Sequence, residues 1–180
     1  VQIGAQCWMS ENLNYGTMIS GNSPQLDNCL SEKYCFDNNP ALCTTHFTLY
    51  QWDEVMRFRD VEETQGLCPP GWHIPSEADW EELFNYFQGS AFAGSALKHN
   101  GYSGFNALLS GVRFLNHVWK FDDEGPLLRN SIFWSSTIQS PEKAWAHGLN
   151  EVVSDDNYTP SVSCYPAFFN NAFMVRCLED

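Results

Sequence analysis

The sequence predicts an α+β fold in a single domain that covers residues 1–180. Helical periodicity of apolar residues is confined to the first half of the chain. Beyond residue 100 the apolar runs are short and are separated by Gly, Asn, Asp and Ser, which is typical of strands joined by loops. A chain of this length has the size of one domain and can bury about 70% of the surface of its unfolded state. Helices early and strands late indicate the α+β class.

The clearest helix is predicted to begin after Ser76 and to end at Gln88-Gly89. Ser76 is a good N-cap, and Asp79 stands at the position of a capping-box partner. An apolar stripe at helical spacing follows, formed by Trp80, Leu83, Phe84 and Phe87. A shorter amphipathic helix is predicted from Leu49 to about Val61, with Trp52, Val55, Met56 and Arg59 at helical spacing.

The remaining segments predict strands and loops. Residues 1–15 read as a strand that ends in a polar turn, and residues 16–46 have the Gly, Asn, Ser and Pro content of a long surface loop. Five apolar runs predict the strands of a small antiparallel sheet: 105–109, 112–115, 132–134, 144–149 and 173–178.

The charge of the chain argues against two classes of partner. With 22 acidic and 9 basic residues, the net charge is −13, and the acids are scattered along the chain. Such a surface repels nucleic-acid phosphates and anionic lipid head groups. No apolar run approaches the ~20 residues of a membrane span, so neither nucleic-acid binding nor direct membrane insertion is expected.

Seven cysteines without a CxxC pair or a zinc quartet favour disulfides and hence an oxidising compartment. Cys35 and Cys43 enclose the segment FDNNPAL, where a bridge would restrict the long loop. The odd count leaves at least one thiol unpaired or paired between chains. The first residues read like the interior of a strand rather than a signal peptide, so we expect an export leader upstream, in a longer protein.

Several stretches, in order over nearly the whole chain, resemble the Fibrobacter succinogenes major paralogous domain family. They are IGAQCWMSENLN (3–14), EKYCFDNNPALC (32–43), LYQW (49–52), CPPGWHIPSEADWEEL (68–83), GFNALLSGVR (104–113), FWSST (133–137) and VRCLED (175–180). The resemblance implies a C-type-lectin-like fold of the formylglycine-generating-enzyme type, with two helices, a small twisted antiparallel sheet and long loops. It also implies an exported or cell-surface bacterial protein.

The same resemblance implies that Cys68 bridges to Cys177 and that Cys35 bridges to Cys43. Trp72, His73 and Trp80 are then expected to pack the junction of helix and sheet. The chain departs from the family pattern at Leu109-Ser110, where the family has Pro-Gly. It also departs at Cys29 and Cys164, where the family rarely has cysteine.

No catalytic residue and no resident metal are predicted. A copper-dependent oxidase like the formylglycine-generating enzymes needs a close pair of reactive cysteines, yet only Cys164 and Cys177 lie late in the chain and Cys177 is assigned to a bridge. No GxSxG elbow, P-loop or HExxH motif is present. For His73, a hydrogen-bonded core position is favoured over a general base.

Calcium is the one cofactor that the sequence leaves open. FDDEG (121–125) and DNN (37–39) supply oxygen ligands, and lectin-like folds often carry the ion. Neither stretch has EF-hand spacing, and the sugar-binding EPN and WND signatures are missing. Solvated surface acids are therefore the favoured interpretation.

Loops at residues 144–171 are the predicted ligand-binding face, because exposed aromatics interleaved with Asn, Ser and Asp, without strand or helix period, are typical of an adaptable binding surface. The candidate residues are His147, Asn150, Asp156, Tyr158, Ser163, Tyr165, Phe168, Phe169 and Asn170. The alternative is that Phe168 and Phe169 are buried. The expected partner is a protein or glycan on another cell or surface.

This segment also resembles the variable region of proteins diversified by retroelements, which ends just before the final strand. Such regions vary because substitutions are introduced at the adenines of a template copy. Cys164 would then be a cysteine that arose by chance from this diversification. The alternatives to a recognition module are a structural module of a larger surface or filament protein and, less favoured, an oxidase.

Overall fold

The computed structural model describes residues 1–44, 48–108, 111–114, 119–120, 129–154 and 157–180. For residues 119–120, 129–130, 150–154 and 157–160 only the backbone is described. The Leu109-Ser110 turn, the FDDEG stretch and Asp156 therefore lie outside the described residues.

The described chain confirms the α+β class, with four α-helices and several small sheets. The helices are α1 (Pro40–Cys43), α2 (Trp52–Val55), α3 (Glu77–Tyr86) and α4 (Ser90–Leu97). The early strands are β1 (Gln2–Ile3), β2 (Gln6–Cys7), β3 (Thr17–Met18), β4 (Glu32–Cys35), β5 (Thr48–Gln51) and β6 (Trp72–His73). The later strands are β7 (Val112–Arg113), β8 (Trp119–Lys120), β9 (Arg129–Ser140), β10 (Lys143–Ser154), β11 (Asn157–Phe168), β12 (Ala172–Phe173) and β13 (Leu178–Glu179).

Two sheets carry most of the strand pairing. One is six-stranded in the order β3-β4-β5-β12-β7-β8, and the other is three-stranded in the order β11-β10-β9. Strands β9, β10 and β11 each run for 12 residues and pair antiparallel, which leaves β11 at the edge of its sheet. Two-stranded pairs β1-β2 and β13-β6 complete the described pairing.

The two ends of the chain lie against each other. Trp8 forms an antiparallel bridge with Leu178, and the Met9 N–H donates to the Cys177 carbonyl at 3.0 Å. Cys177 is also disulfide-bonded to Cys68, and Leu178 pairs with His73 in the β13-β6 ladder. The Gly-Trp-His segment is therefore tied to the end of the chain both covalently and by strand pairing.

Strand β9 is buried on both faces over residues 131–136. On β9, Phe133 belongs to a core cluster with Trp8 and Trp80, whereas its neighbours Ile132 and Trp134 belong to a second cluster on the other face. This alternation follows from the two-residue period of a strand. The first cluster fills the space between the sheet and helices α3 and α4, and the second includes Trp52 of α2.

The predicted start of α3 is confirmed. The Ser76 N–H donates to Asp79 Oδ2 at 2.7 Å, and the Asp79 N–H donates to Ser76 Oγ at 3.3 Å, which completes a capping box. After the helix, Gln88 and Gly89 have φ of 67° and 102°, so the chain leaves the helix in the left-handed region. Among the helices of the described chain, none is both long and apolar enough to cross a bilayer.

Several predicted boundaries are wrong. The helix predicted from Leu49 to Val61 is a strand followed by one helical turn, because Thr48–Gln51 pairs with β4 and β12 and because Arg57 and Phe58 have positive φ. Of the predicted strand at 105–109, the described residues 105–108 form one bridge, between Lys98 and Ala107. Helix α4 was not predicted.

The largest correction concerns the predicted binding loop. The described residues from 143 to 168 belong to the β10-β11 hairpin, with every residue of β10 paired to one of β11. One face of the hairpin packs against helices, and the other packs against the second core cluster. Since each face has its own buried neighbours and polar residues occur along the stretch, the sequence lacks the regular alternation of apolar and polar residues that would predict strands.

Candidate functional site

His147 and Cys164 are direct cross-strand partners in the β10-β11 hairpin. Cross-strand partners share a face of a sheet, so both side chains project from the same side. On that side they meet Glu77, the first residue of α3. The three residues are far apart in sequence, with Glu77 separated by 70 positions from His147 and by 87 from Cys164.

The Glu77 carboxylate bridges the two strand residues. His147 Nε2 lies 2.9 Å from Glu77 Oε2, and the Cys164 thiol donates to Glu77 Oε1 at 3.2 Å. One donor atom from each residue lies within 4.8 Å of the other two. His147 is buried, with 1% of its side chain exposed, while Glu77 is half-buried and Cys164 is exposed. The cluster thus runs from the core to the surface.

Aromatic rings hold the His147 imidazole. It stacks on Trp80 with ring centroids 5.0 Å apart, and it meets Phe84 edge-on at 5.2 Å. Nδ1 of His147 is buried and has no hydrogen-bond partner in the described part of the chain. The Glu77 N–H donates to Thr137 Oγ1 at 2.8 Å, which fixes the backbone at the start of α3.

The electrostatics of the cluster keep the thiol protonated and the carboxyl ionised. Burial raises the pKa of Cys164 to about 12, and the acceptor Glu77 and the charge of Glu81 add to the effect. Burial also raises the pKa of Glu77, but its hydrogen bonds to His147 and Cys164 outweigh burial and place this pKa below the ordinary value. A protonated thiol is a poor nucleophile, so this geometry does not activate Cys164 for covalent chemistry.

Comparison with protein families matches residues 1–179 to the Fibrobacter succinogenes major domain. The chain belongs to the Fibrobacter succinogenes major domain family. No curated protein and no solved structure matches it.

This Fibrobacter succinogenes major domain has both disulfides that the resemblance implied. Cys35 and Cys43 are bonded, as are Cys68 and Cys177. Cys7, Cys29 and Cys164 carry free thiols. The odd cysteine count thus corresponds to three unpaired residues.

The ligand-binding residues predicted from sequence lie on both faces of the hairpin. His147 is buried under α3. Tyr165 is half-buried against the second core cluster, and burial raises its pKa. Ser163 lies on the same side as Tyr165, and its hydroxyl donates to the Gly148 carbonyl at 3.4 Å. These three residues therefore do not form one continuous surface.

Phe168 and Asn170 are exposed together at the end of β11. Phe168 is 42% exposed, and Lys143 Nζ lies 4.4 Å from the centre of its ring. The Asn170 side chain is exposed, while its carbonyl accepts a hydrogen bond from Gln51 Nε2 at 3.0 Å. Between them, Phe169 is half-buried and stacks on Trp52.

Asn150 and Tyr158 lie near the far end of the hairpin, where Asn150 pairs with Ser161 and Tyr158 with Val153. Their side chains are outside the described part. In this family domain, the predicted face therefore reduces to a surface along and beyond β11.

Sequence reasoning missed the Glu77, His147 and Cys164 cluster. Its members have no shared motif, and only the register of β10 against β11 brings them together. The one available signal was Cys164 itself, a cysteine at a position where the family rarely has one, within the same predicted binding segment as His147.

His73, the histidine of the GWHIP motif, joins α3 to the end of the chain. Its Nδ1 lies 2.8 Å from Asp180 Oδ1, and its Nε2 lies 3.5 Å from Asp79 Oδ2. The Asp79 and Asp180 carboxylates raise its pKa even though burial opposes them. These contacts agree with a position at the junction of helix and sheet.

Proposed function

We propose that this domain is an exported, non-catalytic recognition module that binds a protein or a glycan through the exposed side chains of β11 and of the turn that follows it. The observation that carries the proposal is the exposure pattern from residue 164 to residue 170. Cys164, Pro166, Phe168 and Asn170 are exposed, and the three residues between them are half-buried or buried. Because β11 is an edge strand, these alternate side chains form a row at the border of the sheet.

Phe168 is the proposed anchor of this face. An aromatic side chain has few rotatable bonds and a large contact area, so it loses little conformational entropy when a ligand covers it. Its neighbours hold it in place, because Phe169 stacks on Trp52 and the Phe169 N–H donates to the Glu142 carbonyl at 3.0 Å. The exposed ring is therefore presented by rigid backbone, which lowers the entropic cost of binding.

The proposed face includes the predicted residues Asn150, Asp156 and Tyr158; the backbones of Asn150 and Tyr158 lie near the far end of the hairpin, and Asp156 is outside the described residues. It leaves out His147 and Tyr165, which are buried and half-buried. Pro166, Phe168 and Asn170 belong to neither core cluster, so these three positions can change side chain without altering the cores, which also suits the resemblance to variable regions of retroelement-diversified proteins.

A C-type-lectin-like fold is part of the proposal. Helices α3 and α4 pack beside a small antiparallel sheet, and the two ends of the chain are paired. Two disulfides support export, since such bridges persist in oxidising compartments.

Two variants, each at an exposed phenylalanine, test the proposal. Phe168→Ala removes the anchor, and Phe92→Ala removes an aromatic on α4 that is 62% exposed and outside the proposed face. Wild type and both variants are applied to a glycan microarray and to a microarray of bacterial and host surface proteins. We expect wild type and Phe92→Ala to bind the same features, and Phe168→Ala to lose at least about tenfold in affinity.

Thermal melting of the three proteins shows whether a loss of binding reflects unfolding. Equal binding by Phe168→Ala and wild type would place the face elsewhere. An absence of binding on both arrays would favour a purely structural module.

A further inference from the structure

The strongest unassigned feature of the molecule is the meeting of an imidazole, a thiol and a carboxylate at the start of α3. A lone free cysteine or a surface carboxylate is common, but here three different donor groups converge from three elements. His147 Nε2 and the Cys164 thiol meet the two oxygens of the same carboxylate, that of Glu77.

We propose that Glu77, His147 and Cys164 bind one zinc ion, with a water molecule in the fourth coordination position. Nitrogen, sulfur and oxygen ligands are those that zinc uses in proteins, and three protein ligands plus water are typical of an open site. Calcium and magnesium prefer all-oxygen sites, so the thiol and imidazole select against both ions.

The separations of the donor atoms are close to those of a tetrahedral site. Zinc bonds of about 2.0–2.3 Å place neighbouring ligand atoms about 3.3–3.6 Å apart. His147 Nε2 lies 2.9 Å from Glu77 Oε2, Cys164 Sγ lies 3.2 Å from Glu77 Oε1, and one donor atom from each residue lies within 4.8 Å of the other two. Insertion of the ion thus requires these side chains to adjust so that all three donor atoms reach bonding distance of one point.

The ligands are held by regular structure. His147 and Cys164 share a register position in the hairpin, and Trp80 and Phe84 fix the imidazole ring. Glu77 is fixed at its backbone by Thr137. Ligands on rigid elements reduce the cost of organising a metal site. Because Cys164 is exposed, the ion has a path from solvent.

Zinc binding changes the charge balance at the cluster. The Cys164 thiol loses its proton to solvent, and the thiolate and the Glu77 carboxylate together balance the two positive charges of the ion. Glu81, which acts on the Cys164 thiol through its charge, adds negative potential at the entrance. The hydrogen bonds among the three residues are replaced by bonds to the metal.

Metal binding is measured on protein freed of metal with a chelator, with both disulfides intact. Cys7 and Cys29 are first changed to Ser, so that Cys164 is the one remaining free thiol among the described cysteines. Zinc chloride is titrated by calorimetry in two buffers that differ in ionisation enthalpy. We expect one ion per chain and about one proton released, because a cysteine, which is mainly protonated at neutral pH, ligates a metal as the thiolate.

Cobalt chloride provides a second readout. We expect a thiolate-to-cobalt charge-transfer band that zinc removes, and no change with calcium chloride. Cys164→Ser and Glu77→Gln, made in the same background, are expected to weaken zinc binding by at least about 100-fold, more than the loss of an outer-shell partner costs. Glu82→Gln, an exposed change on the same helix, serves as the matched control.

Unaltered zinc affinity in Cys164→Ser, or a titration with no proton release, would overturn the zinc site. A third variant, His147→Gln, changes a buried side chain and could fail to fold. Glu77→Gln and Cys164→Ser change a half-buried and an exposed side chain, so they test the site even in that case. The two proposals share Cys164 but are tested separately, because Phe168→Ala leaves all three proposed zinc ligands in place.

Discussion

Phe169 stacks on Trp52 with ring centroids 4.3 Å apart and an angle of 14° between the ring planes. The Trp52 N–H donates to the Phe169 carbonyl at 3.0 Å, so backbone and side chain make the same connection. The residue before Phe169 is exposed, and the residue after it is exposed as well. Within the predicted binding segment, Phe169 therefore belongs to the framework, and its neighbour Phe168 does not.

Substitution of these adjacent phenylalanines is expected to separate the two roles. Phe169→Ala removes the stacking on Trp52 and should lower the free energy of unfolding by at least about 2 kcal/mol, below the ~3–5 kcal/mol of a fully buried ring. Phe168→Ala should stay within about 0.5 kcal/mol of wild type. Urea denaturation measures both. Equal losses would mean that Phe168 is also a core residue in solution.

The two disulfides are expected to contribute unequally to stability. Cys68 and Cys177 are 109 residues apart, whereas Cys35 and Cys43 are 8 apart. The loop-entropy model gives about 4.7 kcal/mol for a 100-residue closure and about 2.5 kcal/mol for the short one. Paired Cys→Ser variants, compared by denaturation at fixed pH, should follow that order. The reverse order would show that native-state strain, rather than chain entropy, decides the difference.

The contacts of His73 predict a pH dependence of stability. Its pKa is raised in the folded protein, so the stabilisation from the charged form is present below the unfolded value of about 6.5 and is lost as pH rises through the folded value. Unfolding free energies measured across neutral pH should fall on the alkaline side. Asp180→Asn removes one of the two carboxylates and should flatten this fall, while Glu82→Gln on the exposed side of α3 should leave it intact.

Arg176 is expected to be sensitive even to a conservative change. Its guanidinium is 1% exposed, donates to Asn12 Oδ1 at 2.6 Å and to the Met9 and Phe105 carbonyls, and lies over the Phe105 ring. A lysine has no planar fork that could reach all three acceptors. Arg176→Lys should therefore cost about 2–5 kcal/mol, since it leaves buried groups unpaired. A thermal melt close to that of wild type would contradict this account.

Local signals explain which parts of the fold could be predicted. The capping box of Ser76 and Asp79 and the apolar stripe that follows are encoded within one helix, so α3 was predicted nearly residue by residue. Helix α4 has the sequence SAFAGSAL, whose small residues give little amphipathic contrast, and it was missed.

Long-range pairing explains most of the other errors. Thr48–Gln51 has a helix-like apolar spacing with the residues after it, but its place between β4 and β12 makes it a strand. The hairpin of β10 and β11 carries polar and aromatic residues that suggested a loop, because each face meets a different environment. The same register creates the Glu77, His147 and Cys164 cluster, which no spacing along the chain could indicate.

The antiparallel contact between the chain ends determines how the domain responds to pulling. Trp8 forms a bridge with Leu178, and Met9 is hydrogen-bonded to Cys177, so the two segments run antiparallel. Val1 and Asp180 therefore lie at the same end of this ladder. Tension applied between the termini therefore opens these hydrogen bonds one after another, as in unzipping, instead of loading them together. On the C-terminal side the opening stops at Cys177, because its bond to Cys68 is covalent. An oxidised domain under mechanical load thus opens on the C-terminal side only as far as Cys177, and a reduced one has no such stop.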